Sequence, residues 1–268
     1  IALFVTEYLS EEKIQTKRTM VSILAMVVGC FSKAVYIPFL ALYWLMPKDK
    51  FYSRRQKNLF KAGIFVLLIL MFASFILPLI GNVTSGAEVG DYRGGDTSQT
   101  SQLSMILGYP LTYTGVLLKS LGTTFASYFI GSKVLANFAY RGIYDGIGYF
   151  VVLLTMLFTF VTDFGMTEKI YDAQIKRKIF MMKIWNAVLI FGTACLVWTA
   201  LYLDFTPVGS MVINGVSPRY YLPLIFPLSL IFINQKVRCS MKLENYQSLI
   251  AFLMLIGTGI SIYCLMLA

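Results

Sequence analysis

The stretch LFKAGIFVLLILMFASFILPLI, Leu59 to Ile80, carries a single charge, Lys61. As an α-helix it would extend about 33 Å at 1.5 Å per residue, enough to cross the ~30 Å hydrocarbon core of a bilayer. Comparable apolar runs follow at Ile147–Val161, Ile184–Tyr202, Tyr220–Ile233 and Tyr246–Leu267, without the two-residue alternation of an outer-membrane barrel. The composition agrees: 57% of residues are hydrophobic and 13% charged, against roughly 45–50% and about 25% in a soluble domain. The expected fold is all-α, a polytopic transmembrane helical bundle forming one transmembrane domain over residues 1–268.

The formal net charge of +10 does not call for nucleic acid, because the basic residues border apolar runs as cytoplasmic loops do. Four groups hold most of them: Lys13, Lys17 and Arg18; Lys48, Lys50, Arg54, Arg55, Lys57 and Lys61; Lys169, Lys176, Arg177, Lys178 and Lys183; and Lys236, Arg238 and Lys242. If the first two groups both face the cytoplasm, the chain between Met20 and Pro47 must enter the membrane and return. Each arm then has about a dozen residues, short of the ~20 needed to span. This predicts a short helical hairpin with Ser32 and Lys33 at its tip. The alternative is one long tilted helix with Lys33 as a snorkelling charge.

Residues 81–146 are expected outside. GNVTSGAEVGDYRGGDTSQTSQ, with Glu88, Asp91, Arg93 and Asp96, has the Gly/Ser/Thr content of a surface loop. The following LSMILGYPLTYTGVLLKSLGTTFASYFIG mixes apolar and small polar residues around Pro110, as interfacial helices do.

The chain has no histidine, which excludes Ser-His-Asp, Cys-His and His-ligated metal chemistry within these residues. The cysteines Cys30, Cys195, Cys239 and Cys264 form no C-x-x-C pair. No cofactor is identified, and no residue pattern supports a divalent metal. Lys33 and Arg219 stand apart from the basic groups, both expected on the outer side. An arginine offers a planar fork of donors matched to phosphate oxygens, and a lysine a compact charge beside it. In GVSPRYYLP, prolines flank Arg219, Tyr220 and Tyr221. These four residues, Lys33, Arg219, Tyr220 and Tyr221, form a candidate site for a lipid-linked phosphate. The plainer alternative makes Arg219 an interfacial anchor and the tyrosines part of an aromatic belt. Asp204 is a candidate for orienting Arg219 by an ion pair. Asp91 and Asp96 are weak catalytic candidates that read equally as solvated loop charges.

TPVGS and INGVSPRYYLP, from Thr206 to Pro223, resemble the T-P-V-G…G-V-Q-G-R-Y-F-L-P signature of a bacterial membrane family, domain of unknown function 2142. Gly209, Gly215, Val216, Arg219, Tyr220, Leu222 and Pro223 match, while Ser217-Pro218 replaces Gln-Gly and Tyr221 replaces Phe. FSKAVYIPFLAL, Phe31 to Leu42, and SQLSMILGYP, Ser101 to Pro110, resemble the family's hairpin and post-loop segments. The family is similar to GT-C membrane glycosyltransferases. That likeness implies a GT-C-like fold and a sugar donor linked to a polyprenyl phosphate. It also implies a glycan acceptor and an active face outside the bacterial cytoplasmic membrane. It places the catalytic carboxylate in a first outer loop with no counterpart here. The sequence opens IALFVTEYLS, within an apolar turn and without Met, and is expected to be the C-terminal part of a longer chain. A polysaccharide polymerase or ligase, a flippase or transporter of lipid-linked precursors, and a non-catalytic carrier-binding subunit stand as the other readings.

Overall fold

The computed structural model describes residues 1–31, 33–85, 96–130, 147–162, 173–232 and 240–267, and all regular structure among them is helical. The α-helices are α1 (Ala2–Leu9), α2 (Thr16–Phe31), α3 (Arg54–Ser85), α4 (Gln99–Gly108), α5 (Pro110–Ile130), α6 (Ile147–Thr162), α7 (Ala173–Phe205), α8 (Ile225–Phe232) and α9 (Leu243–Leu267). Three 3₁₀ segments, Ala34–Leu45, Lys48–Lys50 and Pro218–Leu224, join them. The chain divides into two compact units, Ile1–Leu118 with Asp172–Val216 and Lys119–Tyr171 with Ser217–Ala268.

The first unit is built around the hairpin. Ser22 Oγ lies 2.5 Å from Tyr43 OH, and Cys30 Sγ donates to Tyr36 O at 3.2 Å. Both pairs are centred on residues 32–33, so the arms turn back there and a single long helix is ruled out. The second arm is 3₁₀ rather than α. Pro38 within it has no N–H to give, and at about 2.0 Å per residue the arm covers about 24 Å. Its Ile37, Leu40, Leu42 and Tyr43 are fully buried, with α2, α3 and α7 packed around them. Trp185 of α7 ties on by donating from Nε1 to Ala41 O at 3.0 Å.

The helices around this arm carry large apolar residues on their outward faces as well as in the core. On α2 the buried face is Thr19, Ser22, Met26 and Cys30, at helical spacing, while Met20, Val21, Leu24 and Val28 are exposed. On α7, Asn186 and Thr193 are fully buried among Met182, Leu189, Val197 and Trp198, while Phe180, Ile184, Val188 and Phe191 are exposed. Leu59, Phe65, Ile69, Leu70 and Leu77 line the outside of α3. Large apolar residues facing outward, with a few small polar residues turned inward, suit helices solvated by lipid tails; a water-soluble chain does not expose apolar area on this scale. Among the described residues two helices are long and apolar enough to cross a membrane, α3 over Arg54–Pro78 and α7 over Ala173–Phe205.

Several expected boundaries move. α7 starts at Ala173 rather than Ile184, because Lys176, Arg177, Lys178 and Lys183 are good helix formers and continue the helix instead of ending it. At about 50 Å it outreaches the hydrocarbon core. The run expected to return as one helix over Tyr220–Ile233 is instead the 3₁₀ segment Pro218–Leu224 followed by the eight-residue α8, with Pro223 and Pro227 interrupting the backbone ladder. The post-loop segment forms two helices, α4 and α5, meeting at Tyr109 and at Pro110 in the first position of α5. Ser32, Glu88, Asp91, Arg93 and Asp145 lie outside the described residues.

At the basic end of the first unit, buried Lys50 donates to Ser10 O (2.5 Å), Ser10 Oγ (2.7 Å) and Glu12 O (3.0 Å), which satisfies all three ammonium protons. Lys13 Nζ caps Asp49 O at 2.6 Å, and Ile14 N donates to Lys50 O at 2.9 Å. Lys178 Nζ reaches Asp49 Oδ2 at 3.5 Å, and Tyr8 OH donates to Lys178 O at 3.1 Å. The loops before α2 and α3 are thereby pinned to each other and to the start of α7.

In the second unit α6 lies along α9. Thr162 Oγ1 is 2.8 Å from Tyr246 OH, and the Phe158 and Tyr246 rings are 6.1 Å apart. Phe160 stacks on Phe232 of α8 at 6.4 Å.

Candidate functional site

Lys33 holds the hairpin tip in the first unit. It is extended (φ −154°, ψ 116°), its N–H donates to Cys30 O at 3.1 Å, and its carbonyl accepts from Tyr36 N at 3.2 Å. The side chain is exposed. α2 rises about 24 Å from Thr16 to Phe31, so the tip stands well away from the basic end and on the side toward which α7 runs.

At that far end of α7 the chain builds a polar junction. Gln102 of α4 is fully buried, and its Nε2 donates to Thr206 O at 2.9 Å and Pro207 O at 3.0 Å. Two carbonyl acceptors fix which way the amide faces. Gln99, one turn earlier on the same face, donates from Nε2 to Asp204 Oδ1 at 2.5 Å. Val208 N donates to Asp96 O at 3.1 Å, and Ser98 caps α4 by accepting from Ser101 N at 3.3 Å. Thr206 Oγ1 donates to Leu201 O at 3.0 Å and accepts from Asn214 N at 3.1 Å, folding the 206–216 loop back on the helix. Gly209 and Gly215 both have φ +78°, the left-handed region. A Cβ at Gly215 would stand 2.2 Å from Phe205 Cδ1, so the loop crosses the ring edge where only glycine fits. The Asp96 side chain is exposed, and Asp204 is half-buried with Gln99 as a partner in its own unit.

Arg219 belongs to the second unit. Ser217 is extended (φ −105°, ψ 140°), as the residue before a proline must be, and Pro218 opens the 3₁₀ turn, with Tyr220 N donating to Ser217 O at 3.1 Å. Arg219 is exposed, and its guanidinium carbon sits 5.7 Å from the centroid of the Tyr220 ring, within cation–π range. Tyr221 is 1% exposed. Of the four residues grouped from the sequence, the structure brings Arg219 and Tyr220 together and buries Tyr221, while Lys33 falls in the other unit.

Gln99, Gln102, Thr206 and Phe205 were missed as functional residues. A signal for two of them was present, since Gln102 lies in SQLSMILGYP and Thr206 opens TPVGS, the two segments that echo the same family. In the fold these segments bond to each other.

No curated protein and no solved structure matches the chain. The family described as "Predicted membrane protein (DUF2142)" matches residues 1–228. With its outward apolar helix faces, its lysine-tipped hairpin and the Gln102–Thr206 junction all inside that match, the chain belongs to this family of predicted membrane proteins.

Proposed function

We propose that this chain is part of a membrane glycosyltransferase of the bacterial cytoplasmic membrane. It takes a sugar from a polyprenyl-phosphate carrier at the outer face and passes it to a cell-surface glycan acceptor. Arg219 grips the carrier phosphate, and Lys33, in its own unit, is a second phosphate-binding cation. The observation that supports this most is the setting of Arg219: exposed on a proline-flanked turn, stacked over Tyr220, with no carboxylate in ion-pair range among the described residues. An arginine whose orientation is set by an aromatic face keeps its donor edge available for phosphate oxygens. Such donors aid transfer by stabilising the charge that develops on the departing phosphate. Tyr221 and the Gln102–Thr206 junction act as supports for the turn and the preceding loop. The multi-pass topology and the extracytoplasmic placement of the site belong to this proposal and follow from the distribution of basic residues.

The test is binding of a short-chain polyprenyl-phosphate sugar to the purified full-length protein in one detergent, comparing the unsubstituted chain with Arg219→Ala, Arg219→Lys and Lys33→Ala. Charge-assisted hydrogen bonds worth about 1.5–3 kcal/mol predict a loss of about 10- to 150-fold for each alanine variant. The lysine variant recovers only part of it, having lost the planar fork. Unchanged binding by folded Arg219→Ala and Lys33→Ala would return both residues to the role of interfacial anchors.

A further inference from the structure

The strongest unassigned feature lies at the opposite end of the hairpin from Lys33. A cavity of about 470 Å³ opens between the 3₁₀ turn Lys48–Lys50 and the start of α3, lined by Lys48, Phe51, Tyr52, Ser53, Arg54, Lys57 and Asn58. Three lining residues are cations and none is acidic. The segment's one carboxylate, Asp49, is turned away to Lys178 at 3.5 Å. No acidic residue occupies the first turn of α3, where the helix field already favours an anion. Arg54 and Lys57 thus add positive charge where two other positive influences converge, an arrangement that raises the energy of the empty cavity and lowers that of an anion within it.

The surroundings are rigid and interfacial. Buried Lys50, with its three acceptors, fixes the turn that carries Lys48. Ser53 Oγ accepts from Gln56 N at 3.1 Å, and Gln56 Oε1 accepts from Tyr52 N at 2.8 Å, closing the first turn of α3. Tyr52 is 75% exposed beside the cavity, and the apolar span Arg54–Pro78 begins at its edge. Cations, an exposed tyrosine and a hydroxyl at the mouth of a span are the groups that hold a lipid headgroup at the membrane boundary.

We propose that this cavity is a phosphate-binding site whose ligand is the phosphodiester of an anionic phospholipid. Lys48, Arg54 and Lys57 supply the charge, and Ser53 and Asn58 the neutral polar contacts. The site is separate from the carrier grip proposed above and stands or falls without it.

The full-length protein is reconstituted in nanodiscs of equal parts phosphatidylglycerol and phosphatidylcholine, extracted, and its retained lipids are counted by native mass spectrometry. The unsubstituted protein should retain phosphatidylglycerol preferentially. At about 1 kcal/mol per basic residue beside an anionic headgroup, Lys48→Gln, Arg54→Gln and Lys57→Gln should each reduce that preference about fivefold. Arg55→Gln removes the same charge one residue away but outside the cavity, and should leave the preference unchanged. Glycerol phosphate is then added as a soluble competitor. If millimolar amounts leave the lipid in place, the ligand is a lipid; if micromolar amounts displace it, and the three cavity variants abolish this, the ligand is a soluble phosphate ester in the same site. Equal losses for Arg55→Gln and the cavity variants would show diffuse surface charge and overturn the site, as would a folded triple variant with undiminished preference.

Discussion

Two glycines with the same backbone angle and different neighbours allow a sharp test of the 206–216 loop. Gly209 and Gly215 both have φ +78°, but a Cβ at Gly209 would meet nothing within 4 Å, whereas one at Gly215 would meet Phe205 Cδ1, Cγ and Cε1 at 2.2, 2.7 and 2.9 Å. Alanine at Gly209 therefore incurs only the left-handed backbone cost, about 1–2 kcal/mol. Alanine at Gly215 incurs that cost plus displacement of a ring carbon by more than 1 Å, which overpacking data put at a further ~1–3 kcal/mol. At about 2–4 °C per kcal/mol for a chain of this size, thermal unfolding in detergent should show Gly215→Ala melting several degrees below Gly209→Ala. The ring is the stated cause, so Phe205→Leu should recover part of the loss in the Gly215→Ala background and none in the Gly209→Ala background. This is a non-additivity that a double-mutant cycle reads directly. Equal losses at the two glycines, or strict additivity with Phe205→Leu, would refute the close approach.

Gln102→Leu removes the side-chain donor from the Thr206 carbonyl and one of two donors from the Pro207 carbonyl, which keeps Ser210 N at 3.1 Å, and should cost about 1–3 kcal/mol. Gln102→Glu turns an acceptor-only carboxylate toward them and should be worse at pH 7, then recover in part in acid as the carboxyl gains a proton it can donate; thermal unfolding at pH 5 and pH 7 checks both. Tyr8 is 3% exposed, and burial, with Asp49 adding to it, pushes its phenol from 10.0 up to about 12. Between these values the folded chain keeps a proton that the unfolded chain has lost, so stability falls as pH rises from about 10 to 12, by up to about 3 kcal/mol, and is fully present below 10. Alkaline unfolding should show this slope in the unsubstituted protein and lose it in Tyr8→Phe.

The hairpin was legible in the sequence because two constraints agreed: basic groups at both ends of Met20–Pro47, and a charge at its centre in Lys33. Ser22···Tyr43 shows the arms meeting as that pattern requires. The start of α7 was not legible, since Lys176 to Lys183 mark a membrane boundary on hydropathy grounds yet favour helix on propensity grounds, and a helix can leave the bilayer without ending. At α8 the opposite error occurred. The apolar content of Tyr220–Ile233 reads as one run, whereas backbone hydrogen bonding, interrupted at Pro223 and Pro227, decides whether a run is one helix. Gln102 and Thr206 are 104 positions apart, and no local periodicity reports a contact at that range.

That contact changes what the family-like segments mean. Read along the chain, TPVG, the following G-V and R-Y look like one continuous ligand-binding signature. In the fold most of it has structural work. Thr206 folds the loop onto α7, and the Thr206 and Pro207 carbonyls take both protons of the Gln102 amide. Gly209 and Gly215 supply the left-handed turns, and Tyr221 is buried. Subtracting these leaves exposed Arg219 and half-buried Tyr220 as the chemically capable pair of the segment. A reading that spreads function over the whole motif predicts lost ligand binding without lost stability at most of its positions. The arrangement here predicts that split at Arg219 and Tyr220 and places the cost of change at Gly215 and Gln102 in folding, so measuring binding and melting together on the same four variants separates the two.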